Sequence, residues 1–324
     1  MRVLLLHSDV PPGAPPDELD TLVTAAAVAA ALRAQGHCVT QAAFAADRSG
    51  VDRAIADSCA DVVFNLVESV FGLDNLAGIA PAMLDRRGIS FTGASAVAIG
   101  CCADKPFTKR LLRAAGLPTP DWFEPPHWEG FAGDRLCVVK SATEDCSVGL
   151  DDGSVVRGSN AVRARAALCA ARHGGNWFAE AYCPGREFNV SLLETETGPR
   201  VLPIAEIQFS DWQPNRPRLV GYAAKWDLQS PDCAATPRVF GIDTEAPELA
   251  RRLQQLSCAA WHLLGLQGYA RVDFRLDADS APAILEINPN PCLEPEAGFA
   301  AAALQAGISY ADLVDRILFA ALRD

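Results

Sequence analysis

The sequence predicts an α/β protein built on an open parallel sheet. Short apolar runs that suit buried strands alternate with helical segments in the N-terminal part, starting with residues 3–6 and the Ala- and Leu-rich residues 20–34. Strands that alternate with helices pack as a sheet covered by helices. The chain has 324 residues, of which 50% are apolar and 21% charged, so it is long enough for several such cores.

The N-terminal domain is predicted to span residues 1–100. Ligands of open α/β sheets lie beyond the carboxyl ends of the strands, so residues 7–9 and 65–68 are expected to face a site. The further elements of this domain are strands at 38–41, 61–66 and 90–92 and helices at 52–59 and 76–87.

Two further domains are predicted, at residues 101–183 and 184–324. The first opens with an amphipathic helix at 105–115, which ends at Gly116 and the breaker Leu-Pro-Thr-Pro. The remaining elements are strands at 136–140, 177–181, 188–193, 201–207, 270–276 and 283–287 and helices at 160–171, 247–264 and 310–322.

Charge and cysteine usage restrict the partners and the compartment. With 28 basic and 40 acidic side chains the formal net charge is −12, and no Lys/Arg-rich run occurs, so nucleic acid is not expected as a partner. The apolar run in the opening MRVLLLHSD is too short for a signal segment or a membrane span, which predicts a cytoplasmic protein without a membrane partner. The 11 cysteines are scattered and are expected to be reduced thiols.

A pair of strands near the C-terminus carries the strongest chemical signal. Side chains alternate between the faces of a strand, so Arg271 and Asp273 share one face, as do Glu286 and Asn288 on the next strand. Carboxylate and amide oxygens are the hard ligands that Mg²⁺ takes beside phosphate oxygens, and a guanidinium holds an anion bidentately. Asp273, Glu286 and Asn288 are therefore the predicted metal ligands. The alternative is an ion-pair network on a solvated hairpin.

These motifs resemble those of a known enzyme class. The stretches RVDF and LEINPNP resemble the metal-binding end of ATP-grasp enzymes, and among them the sequence looks most like the D-alanine–D-alanine ligase family. The resemblance implies a three-domain ATP-grasp architecture, in which a Rossmann-like parallel sheet precedes two α+β subdomains that clasp ATP. It also implies ATP with Mg²⁺ or Mn²⁺, small-molecule substrates and a homodimer. Further segments extend the resemblance over nearly the whole chain: FNLVES, GISFTGAS, DKPFTKRLLRAAGLPTP, VVKSATEDCSVGL, FAEAYCPGREFNV and GYAAKWD.

The resemblance implies catalytic roles for several cationic and small residues. Lys105 and Lys140 would contact the ATP phosphates, and Lys225 would reach the transferred phosphate. Ser147 lies in a loop like the one that closes over the γ-phosphate, and Arg271 would stabilise an oxyanion or the leaving phosphate. Read without the resemblance, Lys140 suits a strand edge and Lys225 a solvated loop.

The segment EAYCPGRE resembles the hinge that binds the adenosine part of ATP. Glu180 begins this hinge and is counted among its ATP-binding residues, and the backbone near Ala181 and Cys183 would bond the adenine edge. Glu187 would accept hydrogen bonds from the ribose hydroxyls. A strand, a Pro-Gly turn and surface carboxylates would give the same spacing.

Substrate residues are expected among the acidic side chains. The resemblance implies a carboxylate in the first loop that binds the amino group of the donor; Glu18 is chosen here, with Asp17 and Asp20 as alternatives. Glu68 and Asp74 would contribute from the substrate loop, although Asp74 also suits helix capping.

The segment after NPNP departs from the pattern of the dipeptide-forming family. That family typically has Gly-Met followed by hydroxyl residues that bind the carboxylate of the second amino acid, whereas this chain has Cys292, Glu294 and Glu296. Carboxylates at these positions would repel an acceptor that carries a carboxylate, so free D-alanine is expected to be a poor acceptor. The alternative is that both glutamates cap a helix beginning near Ala297.

The protein is predicted to be an ATP-dependent ligase. It would activate the carboxylate of an amino acid as an acyl phosphate and couple it to an amine. The alternatives are a non-catalytic ATP-binding ATP-grasp module and a true D-alanine–D-alanine ligase. A non-catalytic module would not need the polar residues of the strand pair. A dinucleotide oxidoreductase is excluded because no G-x-G-x-x-G follows the first strand.

Overall fold

The computed structural model describes residues 1–44, 46–126, 128, 135–227 and 229–323, and the strands within those residues form three sheets. The strands are β1 (Arg2–His7), β2 (Cys38–Ala43), β3 (Val62–Leu66), β4 (Trp122–Phe123), β5 (Leu136–Ser141), β6 (Val155–Arg157), β7 (Trp177–Ala181), β8 (Glu187–Thr195), β9 (Gly198–Val201), β10 (Ala205–Ile207), β11 (Arg238–Phe240), β12 (Tyr269–Leu276) and β13 (Pro282–Asn288). The helices are α1 (Pro16–Ala34), α2 (Arg48–Ser58), α3 (Ile79–Asp85), α4 (Ala96–Ala103), α5 (Lys105–Ala114), α6 (Ser159–His173), α7 (Tyr222–Trp226), α8 (Pro231–Ala235), α9 (Ile242–Glu245), α10 (Pro247–Leu264), α11 (Gly298–Gln305) and α12 (Tyr310–Ala320).

The N-terminal sheet is parallel, with the strand order β2-β1-β3. Its central strand β1 is fully apolar over four residues because both of its faces are covered. The carboxyl ends of β1 and β3 meet, since the Ser8 hydroxyl accepts hydrogen bonds from the backbone N–H groups of Glu68 and Ser69, at 3.0 Å each. The loop that carries Glu68 and Ser69 is thereby held at this edge of the sheet.

The other two sheets are antiparallel. The central sheet has the order β4-β7-β5-β6, and α6 packs on it through Val162 and Cys169. The larger sheet has the order β11-β10-β8-β12-β13, with β9 also paired to β8. Helix α10 covers this sheet through buried residues such as Leu253 and Leu256. One parallel and two antiparallel sheets, all packed with helices, confirm the predicted α/β class.

The C-terminal helices return to the N-terminal sheet. Phe299 of α11 and Leu313 and Ile317 of α12 belong to the same apolar core as Val3 and Leu5 of β1. The two ends of the chain therefore share one core. The domain boundaries drawn at residues 100 and 183 stay predictions. No helix among the described residues is long and apolar enough to cross a membrane.

Some predicted elements differ from those of the structure. The strand predicted at 201–207 is divided into β9 and β10 because Pro203 between them has no N–H to donate to a ladder. The helix predicted at 76–87 becomes a 3₁₀ turn, Asp74–Leu76, and the shorter α3, while residues 90–92 form only a bridge between Phe91 and Val63. Gly78, which lies between the turn and α3, is a poor helix residue and weakens a continuous helix.

Candidate active site

A cavity of about 1000 Å³ opens where the three sheets face one another. Every site residue of the prediction lines it except Glu18; of the three acids considered in the first loop, Asp20 lines the cavity, whereas Glu18 and Asp17 do not. The structure thus brings together the following predicted residues: Glu68, Asp74, Lys105, Lys140, Ser147, Glu180, Ala181, Cys183, Glu187, Lys225, Arg271, Asp273, Glu286, Asn288 and Glu294.

The polar hairpin formed by β12 and β13 provides one wall of the cavity. Arg271 pairs with Asn288 and Asp273 with Glu286 in the antiparallel register, so the four side chains share one face as predicted. The Arg271 guanidinium donates from Nε and Nη2 to the two oxygens of Asp273, at 2.8 Å each. Asn189 of the neighbouring strand β8 donates to the same carboxylate at 2.8 Å, which fixes its orientation.

Glu286 is the carboxylate at the centre of the positive charge. Burial alone would raise its pKa, but the field of Lys105, Lys140, Lys225 and Arg271 lowers the pKa of Glu286 to about 2. This carboxylate is therefore ionised at neutral pH. Lys105, Lys140 and Arg271 also pair with Asp145, Glu180 and Asp273, and a cluster of ammonium groups of this kind suits contact with phosphate oxygens.

Lys140 and Glu180 belong to a buried charge network that includes Lys109. The Glu180 carboxylate forms ion pairs of 2.7 Å with both lysines, and Lys109 also donates to the Thr119 hydroxyl at 2.9 Å. Thr119 in turn donates to the carbonyl of Ile284 in β13 at 2.8 Å. Burial would raise the pKa of Glu180, but the two ammonium groups lower it. The network connects β5, which carries Lys140, to β13, which carries Glu286.

Lys105 begins α5 and anchors the loop at residues 144–149. Its ammonium group donates to the Asp145 carboxylate at 2.6 Å and to the Glu144 carbonyl at 2.9 Å. Asp74 accepts the backbone N–H of Asp145 at 2.8 Å. Burial lowers the pKa of Lys105, but Asp145 and further carboxylates outweigh it and raise the pKa. Asp74 contributes to the loop anchor and caps no helix, because Leu73 is the N-cap of its 3₁₀ turn.

The loop at residues 144–149 folds against α7, which carries Lys225. Ser147 donates to the carbonyl of Val220 at 3.0 Å, and Trp226 donates to the carbonyl of Cys146 at 3.0 Å. Tyr222, at the start of α7, donates to Asp17 of α1 at 2.6 Å. Direct hydrogen bonds therefore join the loop at residues 144–149 to α7, and α7 to α1. Lys225 is in a short helix rather than in an irregular loop.

The predicted adenosine pocket lies after β7. Ala181 ends β7, Cys183 is buried, and Glu187 begins β8. Arg275 of β12 was missed by the sequence analysis; its buried guanidinium lies 3.6 Å from the Glu187 carboxylate and donates to the carbonyl of Gly185 at 3.1 Å. Burial raises the pKa of Glu187, and Arg275 opposes this effect. Arg275 could have been found from the alternation of β12, because it follows Arg271 and Asp273 on the same face.

The end of the cavity that contains Asp20, Glu68 and Asp74 is acidic. Burial, together with repulsion from Asp20, Asp74 and Asp145, raises the pKa of Glu68 to about 8. Asp20 accepts a hydrogen bond from the Cys292 thiol at 3.0 Å. A cationic group such as the ammonium of an amino acid would favour the ionised form of these acids and be bound by it.

Glu294 and Glu296 also line the cavity, and neither caps a helix. Helix α11 has Ala297 as its N-cap, without a side-chain hydrogen bond. Glu294 instead accepts the backbone N–H of Glu296 at 2.8 Å. Neither glutamate caps α11 through a side-chain hydrogen bond, whereas the exposure of Glu296 agrees with the solvent-facing alternative.

All four lysines of the chain belong to this site. Lys105, Lys140 and Lys225 line the cavity, and Lys109 bonds to Glu180 behind it, whereas every other basic side chain counted among the 28 is arginine. A compact ammonium group suits phosphate contact. The scarcity of lysine is visible in the sequence and could have identified Lys109 as a further residue of the site.

The residues present fit Mg²⁺ bound together with ATP. No group of three or more His, Cys, Asp or Glu side chains suited to a metal occurs in the described part of the chain. The hairpin offers two carboxylates and one amide, and Mg²⁺ typically takes one or two carboxylates and completes its shell with water and phosphate oxygens. The ionised Glu286, paired across the hairpin with Asp273, provides such a partial set.

Comparison with solved structures shows the same fold. The D-alanine–D-alanine ligase from Bacillus anthracis, solved in complex with ATP, superimposes with a TM-score of 0.75 at 21% sequence identity; the match covers 100% of this chain and 98% of that one. The family model described as the D-ala D-ala ligase C-terminus matches residues 135–319.

Curated relatives match along most of their length. The D-alanine–D-alanine ligase of Moorella thermoacetica is 30% identical over 324 residues, with 96% of this chain and 97% of the relative covered. That of Albidiferax ferrireducens is 32% identical over 255 residues, with 76% of this chain and 68% of the relative covered. The protein is an ATP-grasp enzyme, an ATP-dependent ligase that joins a carboxylate to an amine. It belongs to the D-alanine–D-alanine ligase family.

Proposed function

We propose that this enzyme phosphorylates the carboxylate of an amino acid with ATP and transfers the acyl group to an amine. The observation that supports this reaction is the field around Glu286, where four cations and a metal-compatible hairpin face one cavity. An adenine-binding module without chemistry would not need this charge arrangement. The acidic group of Asp20 and Glu68 at the other end supports an ammonium-bearing donor.

In the first step, a donor carboxylate oxygen attacks the γ-phosphorus of ATP, and ADP leaves. Lys105, Lys140 and Lys225 neutralise the charge that develops on the phosphate oxygens. Mg²⁺, held by Asp273, Glu286 and Asn288, would supply further charge neutralisation on the triphosphate. In this proposal the backbone at Ala181 and Cys183 binds adenine, and Glu187 binds the ribose.

In the second step, the amine nitrogen attacks the acyl carbon, loses a proton, and inorganic phosphate leaves. Arg271 stabilises the oxyanion of the tetrahedral state and the leaving phosphate, because its guanidinium is fixed by Asp273 beside the metal-facing carboxylate. Ser147 and its loop exclude water, which would otherwise hydrolyse the acyl phosphate. Glu68, Asp74 and Asp20 hold the donor amine, whereas Glu18 has no part in the cavity.

A second candidate function is D-alanine–D-alanine synthesis. The Moorella thermoacetica relative bears that name and matches along 97% of its length, which favours the candidate. Cys292, Glu294 and Glu296 at the far end of the cavity favour a different acceptor. Localisation in the cytoplasm, a homodimer and the absence of nucleic-acid and membrane partners also belong to this proposal.

The test is a screen of D- and L-amino acids, dipeptides and amines in pairs. ADP and phosphate release would be measured with Mg-ATP, and products would be identified by mass spectrometry. We expect ADP release that depends on two substrates and a product with a new amide bond. ADP release with none of the pairs would contradict the proposal; D-alanyl-D-alanine as the fastest product would establish the second candidate. Sedimentation of the purified protein tests the dimer.

A further inference from the structure

Arg238 is a cavity-lining cation that none of the proposed catalytic steps uses. It begins β11, the edge strand of the large sheet, where it pairs with Ile207. Its side chain lines the same cavity as Arg271 and Glu294. The three lysines that line the cavity face the phosphate end with Glu286, so Arg238 is not needed there.

The guanidinium of Arg238 has no anionic partner in the described part of the chain. Its hydrogen bond is a long one, from Nη1 to the carbonyl of Glu296 at 3.4 Å. Burial lowers the pKa of Arg238, and repulsion from Arg271 lowers it further. A partly buried cation without a counter-charge is costly, and a bound anion would remove that cost. Among the described residues no ion pair joins Arg238 to the Glu294 carboxylate, which accepts the N–H of Glu296.

The surroundings of Arg238 favour an anion on the cavity side. A methyl group built on Gly298 would lie 3.6 Å from the Nε atom, so the guanidinium packs directly against the start of α11. The N-terminus of α11 has no side-chain cap, and helix N-termini attract negative charge. Ala297 and Gly298 are small, which leaves space beside the guanidinium.

We propose that Arg238 binds a carboxylate of the amine substrate and thereby selects an amino acid, rather than a simple amine, as the acceptor. The inference rests on the proposed function, because it assigns one of the two substrates of that reaction. It reverses the expectation that Glu294 and Glu296 alone would exclude a carboxylate-bearing acceptor. Those acids lie on the same side of the cavity, where Glu294 would attract the acceptor's ammonium group.

The experiment measures binding and so does not depend on turnover. Alanine, serine, leucine and phenylalanine, in their D and L forms, would be titrated by calorimetry in the presence of Mg²⁺ and a non-hydrolysable ATP analogue. Each would be compared with its carboxamide, which keeps the amine but removes the negative charge. The variants are Arg238→Gln and Arg238→Lys, with Arg200→Gln, an exposed residue of β9, as the matched control.

We expect at least one amino acid to bind the wild-type protein tenfold or more tightly than its carboxamide, and Arg238→Gln to abolish that preference. Arg238→Lys should retain part of it, and Arg200→Gln all of it. Affinity for the ATP analogue should stay the same in every variant. Should Arg238→Gln fail to fold, judged by its melting curve, Arg238→Met, which keeps the apolar stem, replaces it.

Two results with Arg238→Gln would overturn the inference. One is an unchanged preference for the amino acid over its carboxamide. The other is a matching loss of affinity for the ATP analogue when no amino acid is present, which would place Arg238 on the phosphates. Absence of any preference for amino acids over carboxamides in the wild type would also overturn it. The proposed function fails separately, when no substrate pair releases ADP although amino acids bind.

Discussion

Replacement of Glu286 by glutamine removes a negative charge that lies in the field of Lys105, Lys140, Lys225 and Arg271. The pKa of Glu286 is about 2, against 4.5 for an ordinary glutamate. Each pKa unit corresponds to about 1.4 kcal/mol, so the folded environment, in which the cations outweigh burial, favours the ionised form by about 3 kcal/mol net. Glutamine has nearly the same volume and cannot carry that charge. The folded protein should therefore lose a stabilisation of about this size at neutral pH.

The pH dependence of this loss has a definite sign. The folded-state pKa of Glu286 is depressed, so its contribution is fully present above the unfolded pKa of 4.5 and is lost as the pH falls toward 2. Wild type and Glu286→Gln should therefore differ by about 3 kcal/mol near pH ~7 and by progressively less below pH ~4.5.

Urea denaturation without nucleotide measures the difference in free energy of unfolding, and Glu248→Gln, at an exposed position of α10, is the control. Without Mg²⁺, the variant should bind ATP more tightly than the wild type, because one negative charge fewer repels the triphosphate. With Mg²⁺, turnover should fall below about a tenth of wild type, a loss above roughly 1.4 kcal/mol. A variant as stable as the wild type at pH ~7 that also keeps its turnover would refute this account of the site.

Three further predictions follow from the same cavity. Mg-ATP at a hundredfold excess over its dissociation constant should stabilise the protein by about 2.7 kcal/mol in thermal melting, whereas NAD should have no effect. Because the pKa of Glu68 is raised to about 8, the free energy of unfolding without ligand should fall between pH ~5 and ~8, and Glu68→Gln should flatten that slope. A slope unchanged in the variant counts against the raised pKa. Lys109→Met should destabilise the fold by about 3 kcal/mol in urea, since Glu180 keeps only one buried partner; a loss under ~1 kcal/mol would mean that Lys109 is dispensable.

Local rules of strand geometry were sufficient for the hairpin. The alternation of side chains predicted that Arg271 and Asp273 face the same way as Glu286 and Asn288, and the register of β12 and β13 agrees. The bounds of the strand at residues 177–181 were also predicted correctly. The position of the predicted hinge, which begins at the end of this strand, follows from them.

Contacts between distant segments could not be predicted from spacing. Lys109 meets Glu180 from a helix in another part of the sequence, and Arg238 reaches the start of α11 from an edge strand. Nothing in the local pattern distinguishes these side chains from solvated ones. The first-loop acid shows the same limit: Glu18 and Asp20 are both on α1, and only the rotation of the packed helix decides that Asp20 lines the cavity.

The distribution of lysine makes the protein unusual toward amine-directed reagents. Apart from its four lysines, the basic side chains of the chain are arginines. Lys105, Lys109 and Lys140 are buried, so Lys225 is the exposed lysine. Among the lysine side chains, acylating or reductively alkylating reagents will therefore react first with Lys225, the side chain proposed to reach the transferred phosphate. Coupling the protein to a surface through its lysines would block the active site, whereas Mg-ATP in the coupling buffer should shield Lys225.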